Sequence, residues 1–188
     1  MRRNHSRSTA PYSRPTYDSS SKLWFYGNAA LLRADLAFVA FACSKGEWTR
    51  EELKAVEAMA ESLVLENKIL VCGVHGEGHR RAATVPLKWG SPRIVVFSGG
   101  FRCHLGADLK DEPFREARFW RREWDPLTDL AVSRRSPEKP PFFASVNSAV
   151  DRLIARLAGP GAARFADGVP PPTEPDPVRR YWRVPAAR

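Results

Sequence analysis

No apolar run in this 188-residue chain approaches the length of a membrane span, so no membrane partner is expected. The N-terminal stretch is basic and Ser-rich but has no hydrophobic centre, which argues against a secretory signal. Cysteine is scarce: Cys43, Cys72 and Cys103 make no disulfide framework and suit a reducing compartment, the cytoplasm. The Gly-Lys-Ser/Thr ending of a Walker loop is absent, and the glycines do not follow dinucleotide-binding spacing. There is no internal repeat. Acidic residues are in deficit, with 21 Asp and Glu against 30 Lys and Arg, for a net charge of +9.

What is present is enough for one folded domain: 43% hydrophobic and 11% aromatic residues. Much of the excess charge sits at the ends, +4 within residues 1–22 and +2 within 174–188. Flexible basic arms of this kind attract polyanions by counterion release, although a role in solubility alone explains either arm equally well. The expected organisation is a disordered basic arm at 1–21, a folded domain at 22–158 and a Pro/Gly/Arg-rich tail at 159–188.

Within the domain, Leu23 to Leu32 reads as a turn and short helix packed on the core. Leu36 to Ala42 is a continuous apolar run and predicts a buried strand. Thr49-x-x-Glu52 is a capping box that opens a helix to about Glu66, with Leu53, Val56, Ala60, Leu63 and Val64 on one face. Strand Lys68–Cys72, helix His79–Trp89 and strand Arg93–Phe97 follow, then a short strand at Leu130–Val132 and a helix at Ser145–Leu157. The pattern predicts an α/β fold, a Rossmann-like parallel sheet with helices on both faces. Ligands of such sheets bind beyond the carboxyl ends of the strands.

Three loops converge on that edge. They supply the candidate nucleotide- or phosphate-binding residues Ser44, Lys45, Gly73, His75, Gly76, Gly78, His79, Arg80, Arg81, Ser98, Gly99 and Gly100. Small residues let the backbone approach an anion, and the free N–H groups of a helix start favour negative charge. An ordinary strand-to-helix turn is the plainer explanation of the same glycines. Arg102 is a weaker cation beside them. Further on, Arg115, Arg118 and Arg122 share a face if 114–124 is helical, among Phe114, Phe119, Trp120 and Trp124. Aromatics and arginines so mixed suit single-stranded nucleic acid, and suit equally an amphipathic helix with its rings buried. Cys72, His75, His79, Cys103 and His104 are possible zinc-ligand types, but no second Cys or His pair completes a known spacing, so neither metal nor other cofactor is expected. Glu77 is a candidate general base without a recognisable nucleophile, so catalytic residues stay unassigned and binding is favoured over catalysis.

The order of these motifs resembles the DNA-processing protein A (DprA/Smf) family, within the Rossmann-like nucleotide-binding superfamily that includes lonely-guy-type proteins. The residues that carry the resemblance are Cys43-Ser44-Lys45 in place of a Gly-Ser-Arg-like turn, the turn Cys72–His79, and Phe97-Ser98-Gly99-Gly100-Phe101. The resemblance covers about Leu36 to Leu157. A later Arg-Asn-Arg segment of the family falls on Val146-Asn147-Ser148, without its arginines, and the chain is shorter than the family pattern. The resemblance implies single-stranded DNA binding in DNA processing or recombination, with a recombinase as protein partner; a homo-oligomer is compatible with the sequence, which does not fix the oligomeric state. Binding of a nucleotide or nucleotide-derived signal is the alternative, and small-nucleotide hydrolysis a second.

Overall fold

The computed structural model describes residues 12–40, 48–141, 148–159 and 163–165. In chain order the elements are β1 (Tyr12–Asp18), β2 (Leu23–Gly27), a 3₁₀ turn (Ala29–Arg33), β3 (Leu36–Ala40), α1 (Arg50–Leu65), β4 (Ile69–Gly73), α2 (Glu77–Lys88) and β5 (Arg93–Phe97). After them come α3 (Phe101–Leu105), a 3₁₀ turn (Glu116–Phe119), β6 (Leu130–Ser133), α4 (Ser148–Ala158) and β7 (Ala163–Phe165). One seven-stranded sheet has the order β1-β2-β6-β5-β4-β3-β7. The five strands from β6 to β7 are parallel, and the β1–β2 hairpin adds antiparallel to β6. The predicted α/β sheet is therefore present, with an antiparallel margin that the sequence reading did not include. Among the described residues no helix is long and apolar enough to cross a membrane.

Strand alternation divides the core. Leu70, Cys72, Val95 and Phe97 face α1, α2 and α3, whereas Val71, Ile94 and Val96 face α4. The Thr49 capping box closes in both directions: the Glu52 N–H donates to Thr49 Oγ1 at 3.2 Å, and the Thr49 N–H donates to Glu52 Oε2 at 2.8 Å. The predicted apolar face of α1 is buried.

Several expectations need correction. Residues 12–18 of the supposed disordered arm form β1, because Tyr12 stacks on Phe25 at 5.7 Å and Tyr17 packs on Trp24 at 5.3 Å. Asp18 fixes the hairpin turn through Ser21 and Ser20, whose hydrogen bonds lower its carboxyl to about 2. The first half of Leu23–Leu32 is β2 rather than a turn. Residues 163–165 of the supposed tail pair with β3. The rest of the arm and tail, 1–11 and 166–188, lies outside the described residues. Phe101–Leu105, outside the predicted elements, is helical because Phe101 and Leu105, one turn apart, both enter the core.

Residues 114–124 form no α-helix. Phe114, Ala117 and Trp124 are buried, and the Trp124 N–H donates to the Lys110 carbonyl at 2.6 Å, closing a compact loop. The loop is anchored by Arg93 at the start of β5. Arg93, Glu112 and Asp129 are all 0% exposed. The guanidinium donates to Asp129 at 2.9 Å, to Glu112 at 2.5 Å and to the Ala83 carbonyl at 2.7 Å. It lies 5.4 Å from the Phe114 ring and 5.8 Å from the Trp124 ring. Arg121 adds a fourth charge on Asp129. Truncating Arg93 leaves two fully buried carboxylates with only Arg121, which is partly exposed, as a cation. Arg93→Ala is therefore expected to cost about 3–5 kcal/mol in urea denaturation, and a loss below about 1 kcal/mol would contradict this reading.

Candidate functional site

Because the strands from β6 to β7 are parallel, their carboxyl ends lie on one edge, where α2 and α4 begin. The turn from β4 into α2 passes through Gly76 at φ +73°, a left-handed conformation that favours glycine; a Cβ there meets nothing within 4 Å. His75 and His79 flank this turn, with ring centroids 4.4 Å apart. Both point at Asp151 of α4. His79 Nε2 lies 2.8 Å and His75 Nε2 3.0 Å from Asp151 Oδ1. The Gly73 N–H donates to His79 Nδ1 at 3.1 Å, so the proton of the neutral ring is on Nε2, where it donates to Asp151. Burial outweighs the pull of Asp151 and lowers the pKa of His79. Burial works to raise the Asp151 carboxyl, but the hydrogen bonds from His75 and His79 prevail and hold it well below the usual range.

Three metal-ligand types do gather here, His75, His79 and Asp151. Their hydrogen bonding opposes a metal. An ion at His79 Nε2 would move the proton to Nδ1, against the Gly73 N–H, and His75 Nδ1 has no partner of the kind that orients a ligating imidazole. The other candidate ligands are dispersed. Burial raises the Cys72 thiol to about 12 and lowers His104 to about 4, and His104 stacks on Phe97 at 4.7 Å. The His–Asp cluster acts as a latch that holds α4 over the end of β4.

Beside the latch is a cleft of about 310 Å³ lined by Phe97, Ser98, Arg134, Arg135, Ala149, Val150 and Leu153. Arg134 forms no salt bridge among the described residues, and its neighbours Arg152 and Arg156 are also cationic. Partial burial and these two arginines lower the Arg134 pKa, although a guanidinium stays charged at neutral pH. Arg135 is committed to the loop, donating to the Pro140 carbonyl at 3.2 Å. A cluster of like charges at a concave strand edge is suited to an anion.

The residues singled out in the sequence separate. Gly73, His75, Gly76, Gly78 and His79 meet at the latch, and Ser98 enters the cleft. Gly99 and Gly100 are no open cradle: a Cβ on Gly99 would lie 2.6 Å from Pro141 N, and the Gly100 N–H donates to the Lys139 carbonyl at 2.7 Å. They are small because the 136–141 segment crosses directly over them. Arg80 and Arg81 are exposed and line a different groove, along α2. Arg102 is 3.4 Å from Glu138 and donates to the Ala107 carbonyl. Arg115, Arg118 and Arg122 are exposed around a 3₁₀ turn rather than along a helix face. Ser44 and Lys45 lie outside the described residues. Sequence reasoning missed Asp151, Arg134, Arg152 and Arg156. Asp151 beside the apolar positions Val150 and Ile154 was the available signal, since a carboxylate there needs a partner.

Both pKa shifts of the latch make it acid-sensitive. The unfolded chain takes up a proton on histidine near pH 6.5 that folded His79 resists, and one on aspartate near pH 4 that folded Asp151 resists. Stability is expected to fall from about pH 6.5 downward. Asp151→Ala is expected to cost about 2–3 kcal/mol at neutral pH, the size of lost charge-assisted hydrogen bonds, and the gap to the parent should narrow below about pH 4. Denaturant titrations at several pH values check both.

No protein-family model matches the chain, and no curated protein matches it by sequence. Among solved structures, DNA processing protein A from Streptococcus pneumoniae superposes with a TM-score of 0.53 at 21% identity, covering 72% of this chain and 43% of that one. DNA processing protein A from Helicobacter pylori, described with a unique single-stranded DNA binding mode, superposes with a TM-score of 0.51 at 15% identity, covering 72% of this chain and 56% of that one. This chain thus spans about half the length of those proteins and has the α/β fold of DNA processing protein A over most of its own.

Proposed function

We propose that this protein binds single-stranded DNA in DNA processing, with the strand-edge cleft as the site that grips the backbone. The observation that carries the reading is the cluster of Arg134, Arg152 and Arg156, which stands beside the cleft with no carboxylate on Arg134. Arg134 and Arg152 supply positive charge for phosphates, Ser98 offers a hydroxyl, and the apolar wall of Val150 and Leu153 accepts a sugar or base. Two neighbours of the same fold, one of them described as binding single-stranded DNA, support the ligand class. A recombinase partner and a role in recombination rest on the resemblance of the motifs.

A mononucleotide is the second reading, since about 310 Å³ is the size of a small-molecule site. Salt separates the two. A strand held at several phosphates loses affinity steeply as salt rises, whereas a mononucleotide engages few charges. In fluorescence anisotropy with a thymidine oligonucleotide, Arg134→Ala with Arg152→Ala is expected to weaken binding by about 1.5–3 kcal/mol for each lost charged contact. It should also reduce the salt slope by about 0.7 per phosphate released. An unchanged affinity and slope in the folded double variant would overturn the assignment of the cleft.

A further inference from the structure

The loop that Arg93 anchors buries some of its large apolar side chains and leaves others exposed. Phe114 and Trp124 are 2% and 3% exposed, whereas Phe119 is 86% and Trp120 43% exposed. The two exposed rings meet edge to face, with centroids 5.2 Å apart. Folding leaves Phe119 almost wholly and Trp120 nearly half exposed, although the same loop buries its other aromatics. Cations surround them. Lys88 lies 5.2 Å over the Trp120 ring, and Arg115, Arg118 and Arg122 are exposed on the same loop. Arg115 and Arg122 make no ion pair among the described residues, whereas Arg118 donates to the Glu112 carbonyl at 3.1 Å. Acids are interspersed, Glu116 and Glu123 on the loop and Glu57 and Glu77 in the groove beside it, of which Glu57 is paired with Lys88.

We infer that Phe119 and Trp120 form a second contact for single-stranded DNA, a stacking platform away from the strand-edge cleft. This rests on the reading of the protein as a single-stranded DNA binder and adds where the strand goes. Exposed rings stack bases of any sequence, while the arginines beside them take the phosphates. A groove along α2 reaches from Lys88 and Trp120 to Arg80 and Arg81 near the strand edge, and the carboxylates Glu57, Glu77 and Glu116 also line it. The 12 residues of α2 span roughly 18 Å, which a stacked strand covers in about five nucleotides. Arg80 and Arg81, which line this groove and not the cleft, lie on the inferred path of the strand.

The test compares thymidine oligonucleotides of about 20 and about 4 nucleotides, the shorter unable to span both contacts. The proteins are the parent chain, Phe119→Ala, the double variant Phe119→Ala/Trp120→Ala, and the cleft variant Arg134→Ala/Arg152→Ala. Both rings are solvent-exposed, so the platform variants should melt like the parent, and Phe119→Ala provides a milder version. The expected result is a loss of about fivefold or more for the long oligonucleotide per ring removed, with the short one bound as by the parent. The advantage of length should collapse, because linkage of two contacts is what raises affinity for the long strand. Unchanged affinity for the long strand in both platform variants overturns the inference. So does a change confined to self-association in sedimentation, which would make the patch a protein-docking surface. Loss of long-strand binding in the platform variants with none in the cleft variant upholds the platform and removes the cleft. A parent that binds neither length removes both.

Discussion

A single buried guanidinium organises much of this molecule. Arg93 opens the central strand β5, and its charge is neutralised by Asp129 just before β6 and by Glu112 in the connecting loop. Two aromatic rings, Phe114 and Trp124, enclose it, and the Ala83 carbonyl ties it to α2. Such a cluster gains little over a well-packed apolar core, because desolvation offsets most of the attraction. What it supplies is definition. The long connection between β5 and β6 is pinned where its carboxylates meet Arg93, and in that arrangement Phe119 and Trp120 lie outside.

The second constraint acts at the other end of the sheet. α4 lies over β4 and carries Asp151, which takes hydrogen bonds from both His75 and His79. The same helix carries Arg152 toward Arg134. Holding α4 in place therefore also assembles the cationic cluster. Histidine serves well in this position because its two nitrogens play different parts: His79 accepts from the Gly73 backbone and donates to the carboxylate.

Much of the fold was legible because its signals are local. The Thr49–Glu52 capping box, the apolar face of α1 and the run Arg93–Phe97 each read directly as the element observed. The hairpin of β1 and the strand β7 were not legible. β1 is mostly polar and interrupted by Pro15, and β7 is only three residues long; both are ordered by pairing, with β2 and β3, rather than by their own periodicity. Of the site, the turn Gly73–His79 and Ser98 were legible as small and polar residues at strand ends. Asp151 and Arg134 were not, because they meet their partners only across the fold; Asp151 is separated from His79 by 72 positions. The glycines Gly99 and Gly100 misled for a physical reason. A backbone crossing and a bound phosphate both require the absence of a Cβ, and sequence cannot distinguish them.

The central claim is that a cationic cleft on the strand edge, rather than charge spread over the chain, holds single-stranded DNA. Backbone amide chemical shifts recorded while a thymidine oligonucleotide is titrated into the isotopically labelled protein test this most directly. The account predicts saturable shifts at Ser98, Arg134 and Arg135 and in the first turns of α4. Shifts confined to residues 1–11 and 166–188, with the cleft amides unmoved at saturation, would contradict it.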